Sequence, residues 1–203
     1  MDIILVVFFS YICGTIPFGL ILTKIFTGKD IRKIGSGNIG ATNVLRTGNK
    51  YLALATLLLD VLKGYAPVII TRYFFPEFIQ ISALLVFLGH VFPFWLKFKG
   101  GKGVATYLGI LIALSYGLGA LFIFTWLVVS LIFKYSSLSS IFASLTVLVV
   151  TLFRENAVKT IDPNFVFDYD VKLILFIIFI LIIFTHKKNI YNLKNGTEKK
   201  IKI

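Results

Sequence analysis

The residues best suited to chemistry lie in a few polar stretches set between apolar runs. From Phe94 to Thr106 the chain reads F-W-L-K-F-K-G-G-K-G-V-A-T. Gly100, Gly101 and Gly103 uncover backbone N–H groups and tolerate positive φ, which a chain wrapping an anion requires. Lys102 lies among them, with Lys97 and Lys99 just before, and a helix starting near Val104 adds the positive end of its dipole. The pattern is that of a phosphate cradle, although a tight interhelical turn with snorkelling lysines uses the same residues. A nucleotide P-loop does not fit. Five residues before Gly101 stands Leu96 where that pattern has Gly, and Gly103 follows Lys102 where it has Ser or Thr.

A second stretch runs Gly35-Ser36-Gly37-Asn38-Ile39-Gly40-Ala41-Thr42-Asn43-Val44-Leu45-Arg46. Its hydroxyls and carboxamides can donate to phosphate oxygens, and Arg46 can grip them through two parallel N–H bonds. The plainer alternative is an Asx- and Ser-rich turn capping the next helix.

Other candidates are single residues. Asp60 and Lys63 are three apart and share a helix face. Inside an apolar span they are either functional or a mutually neutralising pair that fixes packing. His90 suits a hydrogen-bonded core histidine better than a catalyst. Ser136, Ser137, Ser139 and Ser140 suit helix capping and close packing. His186 and Asn189 follow the last apolar run, and His exchanges protons near neutral pH. With Gly196-Thr197-Glu198 after them, the segment has the look of a closing flap.

The elements that must position these residues are membrane helices. The chain has 203 residues, 58% of them hydrophobic, and a mean hydropathy of +0.91, the profile of an integral membrane protein. One polytopic domain, residues 1–203, is expected. The net charge of +12 is explained by lysines facing an anionic leaflet. Because the basic residues are scattered between spans, a nucleic-acid partner is not expected. The single Cys13 argues against a disulfide framework or a thiolate metal site. The first apolar run lacks a signal-peptide pattern and is read as a permanent span.

Spans are expected at Ile3–Phe26, Tyr51–Thr71, Phe78–Leu96, Leu138–Phe153 and Val171–Thr185. The thirty residues from Val104 to Phe133 would make a helix of ~45 Å, too long for a ~30 Å core. Two short helices turning at Gly117-Leu118-Gly119 are expected instead, giving an all-α membrane protein of about seven spans, some short or broken. The N-terminus is then outside and the C-terminus cytoplasmic. Every Lys and Arg falls inside except the intramembrane Lys63 and the outer Arg72, Arg154, Lys159 and Lys172, which satisfies the positive-inside rule. Residues 27–50, 97–103, 134–137 and the tail 186–203 form the expected active face. An outer loop is expected from Arg154 to Asp170.

These stretches together resemble the bacterial acyl-phosphate:glycerol-3-phosphate acyltransferases over nearly the full length. The resemblance rests on S-G-N-I-G-A-T-N-V-L-R (Ser36 to Arg46), L-D-V-L-K-G (Leu59 to Gly64) and G-H-V-F-P-F-W-L-K-F-K-G-G-K-G-V-A-T (Gly89 to Thr106). Y-S-S-L-S-S (Tyr135 to Ser140) and H-K-K-N-I…L…G-T-E (His186 to Glu198) add to it. Lys134, Thr185 and Lys188 stand where the family pattern has Arg, Arg and Glu. The H-x-x-x-x-D pattern of other acyltransferases is missing, since Trp95 and Tyr191 stand five residues after His90 and His186.

The resemblance implies an inner-membrane enzyme with its motifs on the cytoplasmic side. Such an enzyme moves a fatty acyl group from acyl phosphate to the 1-hydroxyl of glycerol-3-phosphate, releasing lysophosphatidic acid and inorganic phosphate at the start of phospholipid synthesis. Acyl phosphate is an activated mixed anhydride, so binding and positioning suffice without a covalent nucleophile. It implies that Ser36, Asn38, Thr42 and the Gly100–Gly103 backbone hold the donor phosphate, with Gly37, Gly40 and Asn43 in the same loop. Arg46, Lys102, Ser137, His186 and Asn189 then hold glycerol-3-phosphate, with Asp60, Lys63 and Glu198 in support. The proton of the hydroxyl goes to His186 or to a substrate phosphate oxygen. No cofactor or metal is expected, and the protein is expected to be a monomer in contact with membrane lipid. The rival readings are an anion transporter, suggested by Asp60 and Lys63, and a structural membrane subunit whose glycine turns serve packing only.

Overall fold

The structure, a computed structural model, describes residues 1–161 and 170–201. Among them the regular structure is helical: α1 (Asp2–Thr15), α2 (Phe18–Thr27), α3 (Ala41–Leu45), α4 (Lys50–Phe74), α5 (Ile79–Val91), α6 (Val104–Leu114), α7 (Tyr116–Phe133), α8 (Ser136–Ile161), α9 (Lys172–Thr185) and α10 (Lys187–Lys194). Short 3-10 turns at Ile31–Lys33, Pro76–Phe78 and Phe94–Leu96 join some of them. The chain divides into two compact units, Met1–Gly119 and Ala120–Ile203.

Local chemistry explains the boundaries. Pro17 separates α1 from α2, and Ile16 before it is extended at φ −65, ψ 113, the conformation a following proline favours. Gly28, at φ 67, closes α2. Asn49 opens α4 by accepting from the Leu52 N–H at 3.0 Å, an N-cap. The expected connector from Thr27 to Lys50 thus has the ends its residues predicted.

Among the described residues, five segments are long and apolar enough to cross a membrane: Asp2–Thr27, Lys50–Phe74, Pro76–Leu96, Tyr116–Phe133 and Ser136–Arg154. α9 qualifies only together with α10, from which it is bent by 56°. α6 has 11 residues, about 16 Å of helix against a ~30 Å core. The protein is an all-α integral membrane protein; the expected first span, Ile3–Phe26, is broken at Ile16–Pro17 into α1 and α2, and each of the other expected spans centres on one helix.

Two boundaries differ from expectation. The chain turns between α6 and α7 at Ser115, a single extended residue at φ −163, ψ 123, rather than at Gly117 to Gly119. Those glycines lie in the first turn of α7, where a Cβ on Gly119 would come within 2.6 Å of Ile112 Cγ1. Glycine is there to let α7 close on α6. The sixth span was expected to end at Phe153, but α8 continues to Ile161. Arg154 to Ile161 contains neither Gly nor Pro, and nothing in it stops a helix before Pro163. Residues 162–169 of the expected outer loop lie outside the described residues, as do 202 and 203.

In the first unit α1 packs on α5, with Ser10 and Ser82 sharing a buried 2.8 Å hydrogen bond. α4 packs on α6 with backbone against backbone. A Cβ on Gly64 would overlap the Thr106 backbone, and one on Gly109 that of Val61. Small residues at such crossings are what lets membrane helices approach. In the second unit α8 packs on α9, burying Ala143, Val147, Ile174, Leu175 and Ile178.

Candidate active site

The loop from Ile31 to Arg46 is organised from within by Asn43. This side chain is buried, its Oδ1 accepting from the Ser36 N–H at 2.9 Å. Its Nδ2 donates to the carbonyls of Asn38 at 2.7 Å, Ile34 at 2.9 Å and Ile31 at 3.2 Å. Asn38 makes an Asx turn, accepting from the Gly40 N–H at 2.9 Å. With the loop braced in this way, Ser36, Gly37 and Arg46 are exposed at its surface. Asn43, expected among the substrate-binding residues, has its carboxamide committed to the loop itself.

Beneath the loop lies a small apolar core of Ile31, Ile39, Val44, Leu52 and Ala53, and Leu96 packs against it. Leu96 belongs to the turn that leads into the glycine stretch. The two motifs of the first unit, distant in sequence, are therefore joined through one apolar contact.

The glycine stretch is narrower as an anion cradle than its sequence suggests. Gly101 N–H donates to the His90 carbonyl at 3.1 Å and Gly100 N–H to that of Val91 at 3.0 Å. Of the three glycines only Gly103, at φ 84, is left-handed, while Lys97 and Phe98 are left-handed at φ 53 and 58. Side chains resist that region, so the strained backbone stands just ahead of the glycines. Gly100 and Gly101 are needed for close approach to the end of α5. Gly103 is needed to turn the chain into α6, whose first N–H groups supply the helix N-terminus.

The buried pair sits nearby. Lys63 Nζ lies 2.7 Å from Asp60 Oδ1 and donates to the Ile16 carbonyl at 2.6 Å. Trp95 Nε1 donates to the Thr15 carbonyl at 2.9 Å. Both bonds satisfy carbonyls exposed by the Pro17 break. Trp95 was not anticipated from sequence, although the carbonyls orphaned before a proline were a signal that donors must exist. The Asp60 and Lys63 side chains face each other, as their spacing allowed.

The second unit gathers its own set. Glu198 Oε1 accepts from Ser137 Oγ at 2.7 Å and from Asn189 Nδ2 at 2.6 Å, and Glu198 Oε2 from Asn192 Nδ2 at 3.4 Å. The Ile201 N–H donates to the Lys134 carbonyl at 2.7 Å. The tail is thus fastened to the start of α8. His186, buried at the bend between α9 and α10, has Nδ1 at 2.8 Å from the Ile182 carbonyl. A carbonyl only accepts, so Nδ1 carries a proton there. Asn192 was missed in the sequence, where it had no mark beyond lying one helical turn after Asn189. No three of His, Cys, Asp and Glu among the described residues lie together as metal ligands would.

Hydroxyl, amide, guanidinium and ammonium donors in the polar loops of a helical membrane protein are chemically suited to anionic groups at a membrane surface. Comparison with known proteins narrows this. The family model described as glycerol-3-phosphate acyltransferase matches residues 4–196. A glycerol-3-phosphate acyltransferase of Pelagibacter ubique is 53% identical over 203 residues, covering 100% of both chains. One of Mesorhizobium japonicum is 49% identical, covering 98% of this chain and 96% of its own. Among solved structures, the glycerol 3-phosphate form of PlsY (YgiH), an integral membrane glycerol 3-phosphate acyltransferase, superposes with a TM-score of 0.87 at 35% identity, covering 100% of this chain and 96% of that one. The lysophosphatidic acid form gives 0.86 at 32% identity, covering 98% and 95%. The chain belongs to the glycerol-3-phosphate acyltransferase family and is an acyltransferase.

Proposed function

We propose that the protein transfers a fatty acyl group from acyl phosphate to the 1-hydroxyl of glycerol-3-phosphate, giving lysophosphatidic acid and inorganic phosphate. The observation that carries this reading is the Asn43-braced loop, which holds Ser36, Gly37 and Arg46 at its surface within a chain of this family. Ser36, Asn38, Thr42 and the start of α6 hold the donor phosphate, with Gly37, Gly40, Gly100, Gly101 and Gly103 shaping the backbone around it. In the first unit Arg46 and Lys102 grip the phosphate of glycerol-3-phosphate. In the second unit Ser137, His186 and Asn189 are substrate-binding groups, gathered around Glu198 and the bend after α9. Asp60, Lys63 and Glu198 support these groups.

The hydroxyl oxygen attacks the acyl carbonyl carbon, the bond from that carbon to the bridging oxygen breaks, and phosphate leaves. The hydroxyl proton ends on the departing phosphate as monohydrogen phosphate, so the step balances without a covalent acyl-enzyme. His186, with Nδ1 turned to the Ile182 carbonyl, has its ring orientation fixed for a substrate-binding role. The distribution of Lys and Arg supports a cytoplasmic C-terminus and cytoplasmic polar loops in a bacterial inner membrane.

The test uses purified protein in lipid vesicles supplied with acyl phosphate and glycerol-3-phosphate. Lysophosphatidic acid and phosphate should form in equal amounts, and Lys102→Ala and Arg46→Ala should each reduce kcat/KM at least tenfold. Folded variants with wild-type rates would overturn the assignment of sites.

A further inference from the structure

What the glycine turn rests on is His90. Besides the two bonds from Gly100 and Gly101 to the end of α5, the His90 ring stands directly against Gly101. A Cβ there would overlap Nε2 and come within 2.9 Å of Cε1 and 3.0 Å of Cδ2. The opposite edge of the ring, Nδ1, faces Asp60 Oδ1 at 3.9 Å, beyond hydrogen-bond length, and has no hydrogen-bond partner of its own. Asp60 is held in turn by Lys63, which is fixed to the Ile16 carbonyl. All three side chains are buried. The helix that carries the ion pair, α4, is in backbone contact with α6 at Gly64 and Thr106. The imidazole therefore fills the gap between a buried ion pair and the turn that delivers Lys102 and the first N–H groups of α6.

We propose that His90 is a positioning residue for acyl transfer. Its ring sets the height at which the Gly100–Gly103 turn crosses the end of α5, and so fixes where Lys102 and the α6 N-terminus meet substrate. The inference rests on the reading that these groups bind a substrate phosphate. A smaller side chain at 90 leaves the turn free to settle toward Asp60, and a Cβ at 101 lifts it away from the ring. Either movement displaces the phosphate-binding groups, and about 1 Å of misplacement is enough to cost on the order of a hundredfold in rate.

The full chain in lipid vesicles provides the test, with both KM values, kcat and thermal unfolding measured for wild type, His90→Ala, Gly101→Ala and the double variant. Each single change should raise KM for acyl phosphate about tenfold or more while the protein stays folded. In the double variant the new methyl occupies space vacated by the ring. Its loss in kcat/KM should be smaller than the product of the single losses by about tenfold, the signature of residues in contact. If His90→Ala does not fold, His90→Gln, which keeps much of the volume and a polar edge, is measured in its place. Unchanged KM values, or losses that simply multiply, would overturn the inference while an active wild type leaves the proposed function standing. A wild type that makes no lysophosphatidic acid removes the functional reading, and the inference falls with it.

Discussion

Replacing Asn43 by Ala removes the four side-chain bonds that brace the first polar loop. The Ser36 N–H loses its acceptor, and the carbonyls of Ile31, Ile34 and Asn38 lose a donor. Ile34 and Asn38 are only half-buried, so water can replace part of what they lose. Ile31 is fully buried, at 0% exposure, and its carbonyl stays dry. Counting about 0.5 kcal/mol for each of the three bonds nearer water and about 1.5 kcal/mol for the dry carbonyl gives a destabilisation of the ordered loop of about 3 kcal/mol. At 1.4 kcal/mol per factor of ten that is somewhat more than a hundredfold in the ordered population. The transfer assay should show kcat/KM reduced by about a hundredfold for a variant that still inserts and folds, since α4 and its partners are untouched. Hydrogen exchange at the Ser36 amide should accelerate by a similar factor. Asn43→Asp separates the donor from the acceptor role. It keeps an oxygen for Ser36 but turns a carboxylate toward three carbonyls, and should be at least as damaging as Ala. A folded Asn43→Ala enzyme within threefold of wild type, with unaltered exchange at Ser36, would refute the brace.

Three further outcomes follow from the same geometry. Asp60→Ala leaves Lys63 buried without its partner and should cost about 3–5 kcal/mol of stability, most of which Asp60→Leu with Lys63→Met should restore, read by thermal unfolding in detergent. Glu198→Ala removes the common acceptor of Ser137, Asn189 and Asn192. It should lower kcat/KM about tenfold and speed proteolytic cutting near Gly196, with the unfolding midpoint of the helices little changed. Asp30 is held down at about 2 by the hydrogen bond from Arg32, below its ordinary 3.8. A depressed carboxyl contributes above the ordinary value and loses that contribution as pH falls toward the depressed one. The Asp30–Arg32 contact should therefore persist through the neutral range and fail only in strong acid, as a carboxyl NMR titration of Asp30 would record.

Much of the architecture was legible because membrane helices are written in runs of apolar residues with punctuation that has a physical meaning. The spacing of Asp60 and Lys63 had to place them on one face, where the structure finds them paired. What was illegible depended on contacts between distant residues. Gly100 and Gly101 looked like anion-binding backbone, but their N–H groups answer to the carbonyls of Val91 and His90, nine and eleven residues earlier. Asn43 looked like a donor to substrate, yet its amide is consumed by carbonyls that only the folded loop brings near. Ser115 carried no turn signal, while the glycines after it did, because glycine serves helix contact as well as chain reversal. Leu96 gave no hint that it would link the two motifs of the first unit. The tail showed its composition but not its fastening to Ser137 and Lys134.

The central claim is direct transfer between two phosphate-bearing substrates, and phosphate release resolved on the time scale of one turnover tests it most directly. Enzyme in vesicles is mixed with acyl phosphate, with and without glycerol-3-phosphate, and phosphate and lysophosphatidic acid are quantified together. The account predicts that both products appear in equal amounts when both substrates are present, and that no phosphate burst occurs when the acceptor is withheld. A burst equal to the enzyme concentration without glycerol-3-phosphate would reveal an acyl-enzyme and contradict the account.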